Sequence, residues 1–138
     1  MKPMLSALAM MAALVAVAPA GHAQTLTGSQ AQKSPQAEAF LAYEKAMSAQ
    51  GIEGARPHMT PEKLAEMQGM VKAFGEEGFK QYQTKMRGGA QGEARRKQIE
   101  KVEVKGDRAV LEARDSPNVV TEQHLLQTKD GWKVHVRR

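Results

Sequence analysis

The sequence predicts an α+β fold in which N-terminal helices pack on a four-stranded antiparallel meander sheet. Two observations support this prediction. Between residues 37 and 86, apolar residues recur at spacings of three and four, which is the period of an amphipathic helix. From residue 99 onward, apolar residues alternate with polar ones and turn signals separate the runs, which is typical of half-buried strands. The helices therefore belong to the first half of the domain and the sheet to the second.

Residues 1–23 have the layout of a secretory signal peptide. Lys2 gives a short positive start, Met4–Ala20 is almost entirely apolar, and small residues precede a cut after Ala23. A cut after Ala20 is the alternative. The apolar run is short for a membrane span, which needs about 20 residues, although an uncleaved anchor is the other interpretation. We expect a bacterial protein that is periplasmic or secreted, with no stable membrane span after cleavage.

Composition limits the possible functions of the remaining single domain. The chain has no cysteine, so stability must come from burial without disulfides and lipid attachment at a cysteine is excluded. Loss of Lys2 with the signal lowers the net charge from +5 to +4, which favours an acidic partner. Nucleic-acid binding is not expected, because a single-strand platform would interleave aromatic residues with the basic ones. No cofactor is predicted.

The domain is predicted to span residues 34–138, after a polar segment without periodicity, residues 24–33, that predicts a flexible leader. Ser34 and Pro35 indicate a helix start, with serine as N-cap and proline at the first helical position. Gly51 is expected to end this helix.

Thr60 and Pro61 repeat the helix-start signal, and an apolar stripe follows. Gly75 and Gly78 predict a break before a third short helix. Methionines lie on the apolar stripes of these helices, where they fill a core more often than they bind a ligand, although methionine also suits an irregular cavity. These methionines are Met47, Met67, Met70 and Met86.

The first strand pair is predicted as a hairpin with a two-residue turn at Gly106 and Asp107. The alternation places one apolar face toward the helices and one charged face toward solvent, with a favourable cross-strand ion pair on the charged face. The predicted pairs are Val104 with Ala109, Val102 with Leu111, Glu100 with Ala113, and Lys101 with Glu112.

Two registers are open for the second strand pair, whose last strand is expected near the centre of the meander. The favoured three-residue loop has Gly131 left-handed and bulged, and it turns Glu122 and His124 toward the helices. A slip by one residue would instead turn Leu125 inward and leave both polar residues in solvent. The favoured loop pairs Leu126 with Val134 and His124 with Val136; a two-residue loop at Asp130 and Gly131 pairs Leu125 with Val136.

Two short motifs, VEVKGDRAVLEA at 102–113 and KDGWKVHV at 129–136, follow the helices in this order. Together they resemble the nuclear transport factor 2-like superfamily, also described as cystatin-like α+β, and in particular its small secreted bacterial members. The resemblance implies a curved sheet wrapped around a helix, with a cone-shaped cavity between them. It also implies a choice of functions, because some members are enzymes such as ketosteroid isomerase and polyketide cyclases of the SnoaL type, whereas others dimerise or bind proteins.

Candidate site residues follow from this implied cavity and the favoured register. Isomerase-type chemistry needs a carboxylate base and a protonated donor in the cavity. Asp107, Asp115 and Asp130 all fall at turns, so the acid–base candidates are Glu122 and His124. The predicted cavity lining is Tyr43, Met47, Leu111, Glu122, His124, Trp132 and Val134.

The sequence therefore favours a non-catalytic binding module, which holds either a small apolar molecule or an acidic protein partner in the manner of an inhibitor or immunity protein. The alternative is an isomerase- or cyclase-type enzyme that uses Glu122 or His124 as acid or base. No metal site is expected, because the histidines lack a helical i, i+4 partner. A homodimer through the outer sheet face is possible, with Val110 and Ile99 as its only outward apolar residues. His135 is expected in a solvated stripe.

Overall fold

The computed structural model describes residues 23–87 and 90–137, and it confirms the α+β class. Of the predicted signal peptide, only Ala23 falls within the described residues. Five strands and four helices follow one another, with a 3-10 turn at Arg56–His58. In chain order these are β1 (Ala23–Thr27), α1 (Gly28–Gln32), α2 (Pro35–Ala55), α3 (Pro61–Arg87), α4 (Gly92–Lys97), β2 (Ile99–Lys105), β3 (Arg108–Ser116), β4 (Val119–Thr128) and β5 (Gly131–His135).

The sheet has five strands rather than the four predicted, in the order β1-β2-β3-β4-β5 with antiparallel neighbours. The additional strand comes from the segment predicted to be a flexible leader, so that prediction is wrong. Leu26 lies opposite Val102 and packs on the core, and Ala31 of α1 is fully buried. The sequence of this segment shows no apolar periodicity, because backbone pairing with β2 and the packing of Leu26 and Ala31 on the core hold it in place.

Both predicted helix starts are confirmed. The Ser34 hydroxyl accepts a hydrogen bond from the Ala37 N–H at 3.1 Å, and the Thr60 hydroxyl accepts one from the Lys63 N–H at 3.2 Å. Gly51 adopts φ 71°, which interrupts α2 where the sequence predicts its end, although helical turns resume to Ala55. Gly75 adopts φ 76° and breaks α3 as expected.

The β2–β3 hairpin has the predicted turn, with φ 62° at Gly106. Three of the four predicted pairs are present, and Lys101 Nζ lies 3.3 Å from Glu112 Oε2. The pairing of Glu100 with Ala113 is wrong, because a bulge between Ile99 and Lys101 places Ile99 opposite Ala113. The bulge turns Ile99 into the core, where it is fully buried, so it does not contribute to an outer dimer face.

The β4–β5 pairing follows neither predicted register, because Leu125 lies opposite Val134 and Thr128 opposite Gly131. The Thr128 hydroxyl donates to the Gly131 carbonyl at 2.9 Å and accepts from the Asp130 N–H at 3.2 Å, which stabilises a loop of Lys129 and Asp130. The threonine thus favours a loop of two residues instead of the predicted three. The resulting register makes Leu125 the buried residue of β4.

β5 is an edge strand, not a central one. The segment before α3 covers its free edge, since the Thr60 N–H donates to the Val134 carbonyl at 3.0 Å and Met59 forms a parallel bridge with the same residue. The Thr60 hydroxyl also lies 2.7 Å from His135 Nδ1. His135 is consequently buried, and its predicted place in a solvated stripe is wrong.

The hydrophobic core lies between the helices and one face of the sheet. Its largest fully buried side chains come from α2 and from four of the strands, and Thr60 is buried beside them. Among the described residues, the helices include none with the length and apolar character needed to cross a bilayer. The fully buried apolar side chains are Phe40, Ile99, Leu111, Leu125, Val102 and Val134.

Candidate ligand cavity

A cavity of about 240 Å³ lies between α2, α3 and the adjoining ends of β3 and β4. We call it the helix–sheet cavity. One side of its lining is formed by apolar residues of α2 and α3, and a polar side is centred on α4 and the sheet and includes Glu44 of α2. Lys63, Glu66 and Gln83 of α3 are polar as well. The lining consists of Tyr43, Glu44, Met47, Lys63, Glu66, Met67, Met70, Phe79, Tyr82, Gln83, Arg95, Asp115, Thr121 and Gln123.

The apolar side comes from the facing stripes of α2 and α3. Met47, Met67 and Phe79 are almost completely buried, and Met70 packs partly on the core. Methionine has three rotatable bonds and a polarizable sulfur, so a lining rich in it adapts to different apolar shapes. This side of the cavity favours an apolar molecule without imposing one outline.

The polar side is organised around Arg95 of α4, whose side chain is only 3 % exposed. Its Nε and Nη2 donate to the two carboxylate oxygens of Glu44 at 2.8 and 3.0 Å, a bidentate pair with α2. Its Nη1 donates to Asp115 Oδ1 at 2.6 Å and to Gln98 Oε1 at 2.7 Å. We call these residues, together with Thr121, the Arg95 cluster.

Arg95 remains a cation in this setting. Burial alone would lower the pKa of Arg95, but hydrogen bonds and charge interactions with Glu44 and Asp115 outweigh it, and the pKa is raised. The guanidinium carbon also lies 5.3 Å from the centre of the Phe40 ring, a cation–π contact. The arginine is therefore held by charge, hydrogen bonds and packing together.

β4 contributes its odd-numbered residues to the cavity, since Thr121 and Gln123 lie opposite Ala113 and Leu111 on the helix-facing side. The Thr121 hydroxyl donates to Asp115 Oδ2 at 3.1 Å. Both oxygens of Asp115 thus accept a hydrogen bond within the Arg95 cluster.

More exposed residues mark the side on which the cavity meets solvent. Lys63 Nζ lies 2.6 Å from Glu66 Oε1, so these two charges are paired. Tyr82 is 42 % exposed, and its ring centre is 5.9 Å from that of Phe74, which is outside the lining. The entrance therefore combines the exposed ring of Tyr82 with an ion pair.

The predicted lining residues divide into two groups in the structure. Tyr43 and Met47 do line the cavity. Leu111 and Val134 lie in the solid core instead, and Trp132 packs partly against that core without reaching the lining.

Glu122 and His124 lie on the opposite face of the sheet, where their partners on β3 are Glu112 and Val110. The prediction that they turn toward the helices is therefore wrong, because the short Thr128 loop shifts the register and strand residues alternate between faces. The two side chains are close together, with His124 Nε2 3.6 Å from Glu122 Oε1.

The Arg95 cluster is not predictable from the sequence. Arg95 resembles any basic residue of a solvated helix, and Asp115 resembles a turn aspartate; nothing local shows that they meet across 20 residues. By contrast, the helical spacing of Met67 and Met70 does predict that they lie on the apolar stripe of α3.

The described residues contain no group of three or more histidine, cysteine or acidic side chains that could hold a metal ion. Comparisons with protein-family models, curated proteins and solved structures found no match.

Proposed function

We propose that this protein is a non-catalytic binding module that holds a small, mostly apolar ligand in the helix–sheet cavity. The observation that carries the proposal is the combination of a methionine- and aromatic-lined side with a polar side whose charged groups are already paired. Pockets of this kind, apolar with a few placed polar groups, are the usual form of small-molecule sites. We also propose export to the periplasm or beyond, and a place in the nuclear transport factor 2-like superfamily, on the sequence patterns alone.

The size of the cavity limits the ligand. A cavity of about 150 Å³ holds benzene, and drug-sized molecules usually occupy about 300 to 1,000 Å³. By proportion, the 240 Å³ found here suits a molecule of about ten heavy atoms.

The pairing of the carboxylates supports binding rather than catalysis. A general base must be able to reach and accept a substrate proton. Glu44 and Asp115 are instead both ion-paired with Arg95 and hold it in place, so neither is a carboxylate without a cationic partner. The alternative proposal, an isomerase- or cyclase-type enzyme using Glu122 or His124, would need a substrate on the outer face of the sheet, since neither residue lines the cavity.

The binding proposal can be tested with 1-naphthylamine, a dye small enough for this cavity that is uncharged at neutral pH and whose fluorescence rises in apolar surroundings. We expect saturable fluorescence enhancement with the wild-type protein. Met70→Trp should weaken it about tenfold or more, because the larger ring occupies the cavity. Ala73→Trp is the matched control: it adds the same ring to an exposed position of α3 outside the lining and should leave dye affinity unchanged.

Equal effects of the two tryptophan variants, or no saturable enhancement with the wild type, would contradict the proposal. The enzymatic alternative predicts a different outcome. Glu122→Gln and His124→Ala should then abolish a detectable turnover while dye binding remains intact.

A further inference from the structure

We propose that the helix–sheet cavity selects organic cations, namely small apolar molecules that carry one ammonium group. This inference rests on the proposed binding function and specifies its ligand class. It follows from the charge and the hydrogen-bonding capacity of the lining.

The formal charges of the lining do not balance. Lys63 and Glu66 form a pair at the entrance and cancel. Within the Arg95 cluster, one guanidinium faces the two carboxylates of Glu44 and Asp115, which leaves one negative charge. The side chains of Arg95 and Asp115 are 3 % and 4 % exposed, so water screens this excess weakly. A negative cavity is notable in a chain whose net charge is +5.

The hydrogen-bonding capacity has the same bias. A guanidinium has five N–H donors, and four contacts from Arg95 to Glu44, Asp115 and Gln98 use most of them. An ionised carboxylate offers about four lone-pair sites. Glu44 uses two of its sites in the contacts with Arg95. Asp115 also uses two, one with Arg95 and one with Thr121. The polar side therefore has more spare acceptors than donors. An ammonium group, with three donors and no acceptor, is complementary to it.

A ligand with a carboxylate is disfavoured for the same reasons. Its charge would add to the net negative charge of the Arg95 cluster where the dielectric is low, and within the cluster it would compete with Glu44, Asp115 and Gln98 for the donors of Arg95. An ammonium group meets the opposite situation, and the lining rings of Tyr43, Phe79 and Tyr82 present π-faces of the kind that attract cations.

The experiment compares three molecules with the same phenylethyl-sized body, of nearly equal volume: 2-phenylethylamine, 2-phenylethanol and phenylacetate. Each is used to displace 1-naphthylamine at about neutral pH, at which 2-phenylethylamine is a cation and phenylacetate an anion. We expect 2-phenylethylamine to displace the dye at a concentration at least about tenfold lower than phenylacetate, with the alcohol between them. Equal potency of all three molecules, or stronger displacement by phenylacetate, would overturn the inference.

Two variants test the origin of this preference. Asp115→Asn removes the excess charge with little change in shape, and it should reduce the amine-to-carboxylate ratio about tenfold. Asp107→Asn is the matched control, because it makes the same change of charge at an exposed turn outside the lining. It should keep the preference. If Asp115→Asn does not fold, Glu44→Gln neutralises the other carboxylate and should give the same reduction.

Failure of this inference can be told apart from failure of the proposed function. If the dye binds and Met70→Trp weakens it, but the amine is not preferred, only the ligand class is wrong. If the dye does not bind and 2-phenylethylamine does not raise the thermal midpoint of the wild-type protein, both the binding function and the ligand class are contradicted.

Discussion

Arg95 and Arg96 are consecutive residues of α4 that both bind glutamates of α2, yet they lie in different surroundings. Arg95 holds Glu44 inside the protein, with side-chain exposures of 3 % and 12 %. Arg96 holds Glu38 at the surface at 2.6 Å, with exposures of 23 % and 58 %, and it also binds Glu93. Two ion pairs of similar geometry therefore differ almost only in burial.

Burial, not the number of ion pairs, therefore sets the free-energy cost of losing an ion pair. A surface pair is screened by water and salt and contributes about 0 to 1 kcal/mol. Removing one partner of a buried pair leaves the other charge desolvated without compensation, which costs about 3 to 5 kcal/mol. The same residue type can thus be dispensable at position 96 and essential at position 95.

Arg95→Met should destabilise the fold most, because it keeps much of the side-chain volume and leaves Glu44 and Asp115 without their cation. We expect a loss of about 3 to 5 kcal/mol in the free energy of unfolding, measured by urea denaturation. Arg96→Met is the matched control and should cost about 1 kcal/mol or less. Losses of similar size in the two variants would show that the cluster is not the desolvated unit described here.

The two faces of β4 allow a second comparison of a buried and a more exposed position, here between two leucines. Leu125 faces the helices and is 1 % exposed, whereas its neighbour Leu126 lies on the outer face and is half-buried. Leu125→Ala should lower the free energy of unfolding by about 2 to 5 kcal/mol, because it leaves a cavity in the core. Leu126→Ala should cost about 1 kcal/mol or less, since its methyl groups lose less buried area.

The leucine comparison also tests the register of β4 directly. In the three-residue loop favoured by the sequence, Leu126 would be the core residue and the order of the two effects would be reversed. Urea denaturation of both variants distinguishes the two registers without a new structure.

The parts of the fold that were predictable from sequence are those specified by neighbouring residues. The caps at Ser34 and Thr60, the Gly75 break and the Gly106 turn all depend on local chemistry, and all are present. The first strand was missed because its order comes from pairing with β2, about 75 residues further along the chain. The β4–β5 register was missed because one hydroxyl, that of Thr128, determines the loop.

The candidate site was predictable only on its apolar side. Helical spacing placed Met47, Met67 and Met70 on the stripes that face the cavity. The polar side depends on tertiary contacts between Glu44, Arg95 and Asp115, which no local pattern in the sequence indicates. Glu122 and His124 were misplaced because a single-residue change in register exchanges the two faces of a strand.

The surface pair of Arg96 and Glu38 should give the fold only a weak dependence on pH. Hydrogen bonding to Arg96 lowers the pKa of Glu38 from its ordinary value of 4.5, against an opposing effect of burial. Because the pKa is lower in the folded than in the unfolded state, the pair stabilises the fold fully above about pH 4.5. This contribution is lost as the pH falls through the lowered folded-state pKa. Glu38 is 58 % exposed, so the contribution should stay below about 1 kcal/mol.

Glu38→Gln should therefore be slightly less stable than the wild type at about pH 7, and the difference should shrink as the pH falls below the folded-state pKa. Urea denaturation midpoints of both proteins, at about pH 7 and below the folded-state pKa of Glu38, measure this difference in stability. About 1 M salt at neutral pH should reduce the difference as well, because salt screens exposed charges. Glu77→Gln is the control, since Glu77 is exposed and forms no ion pair among the described residues. A Glu38→Gln difference that persisted at low pH would mean that the Arg96 pair acts through packing rather than charge, and the contrast with the buried Arg95 cluster would then need another physical basis.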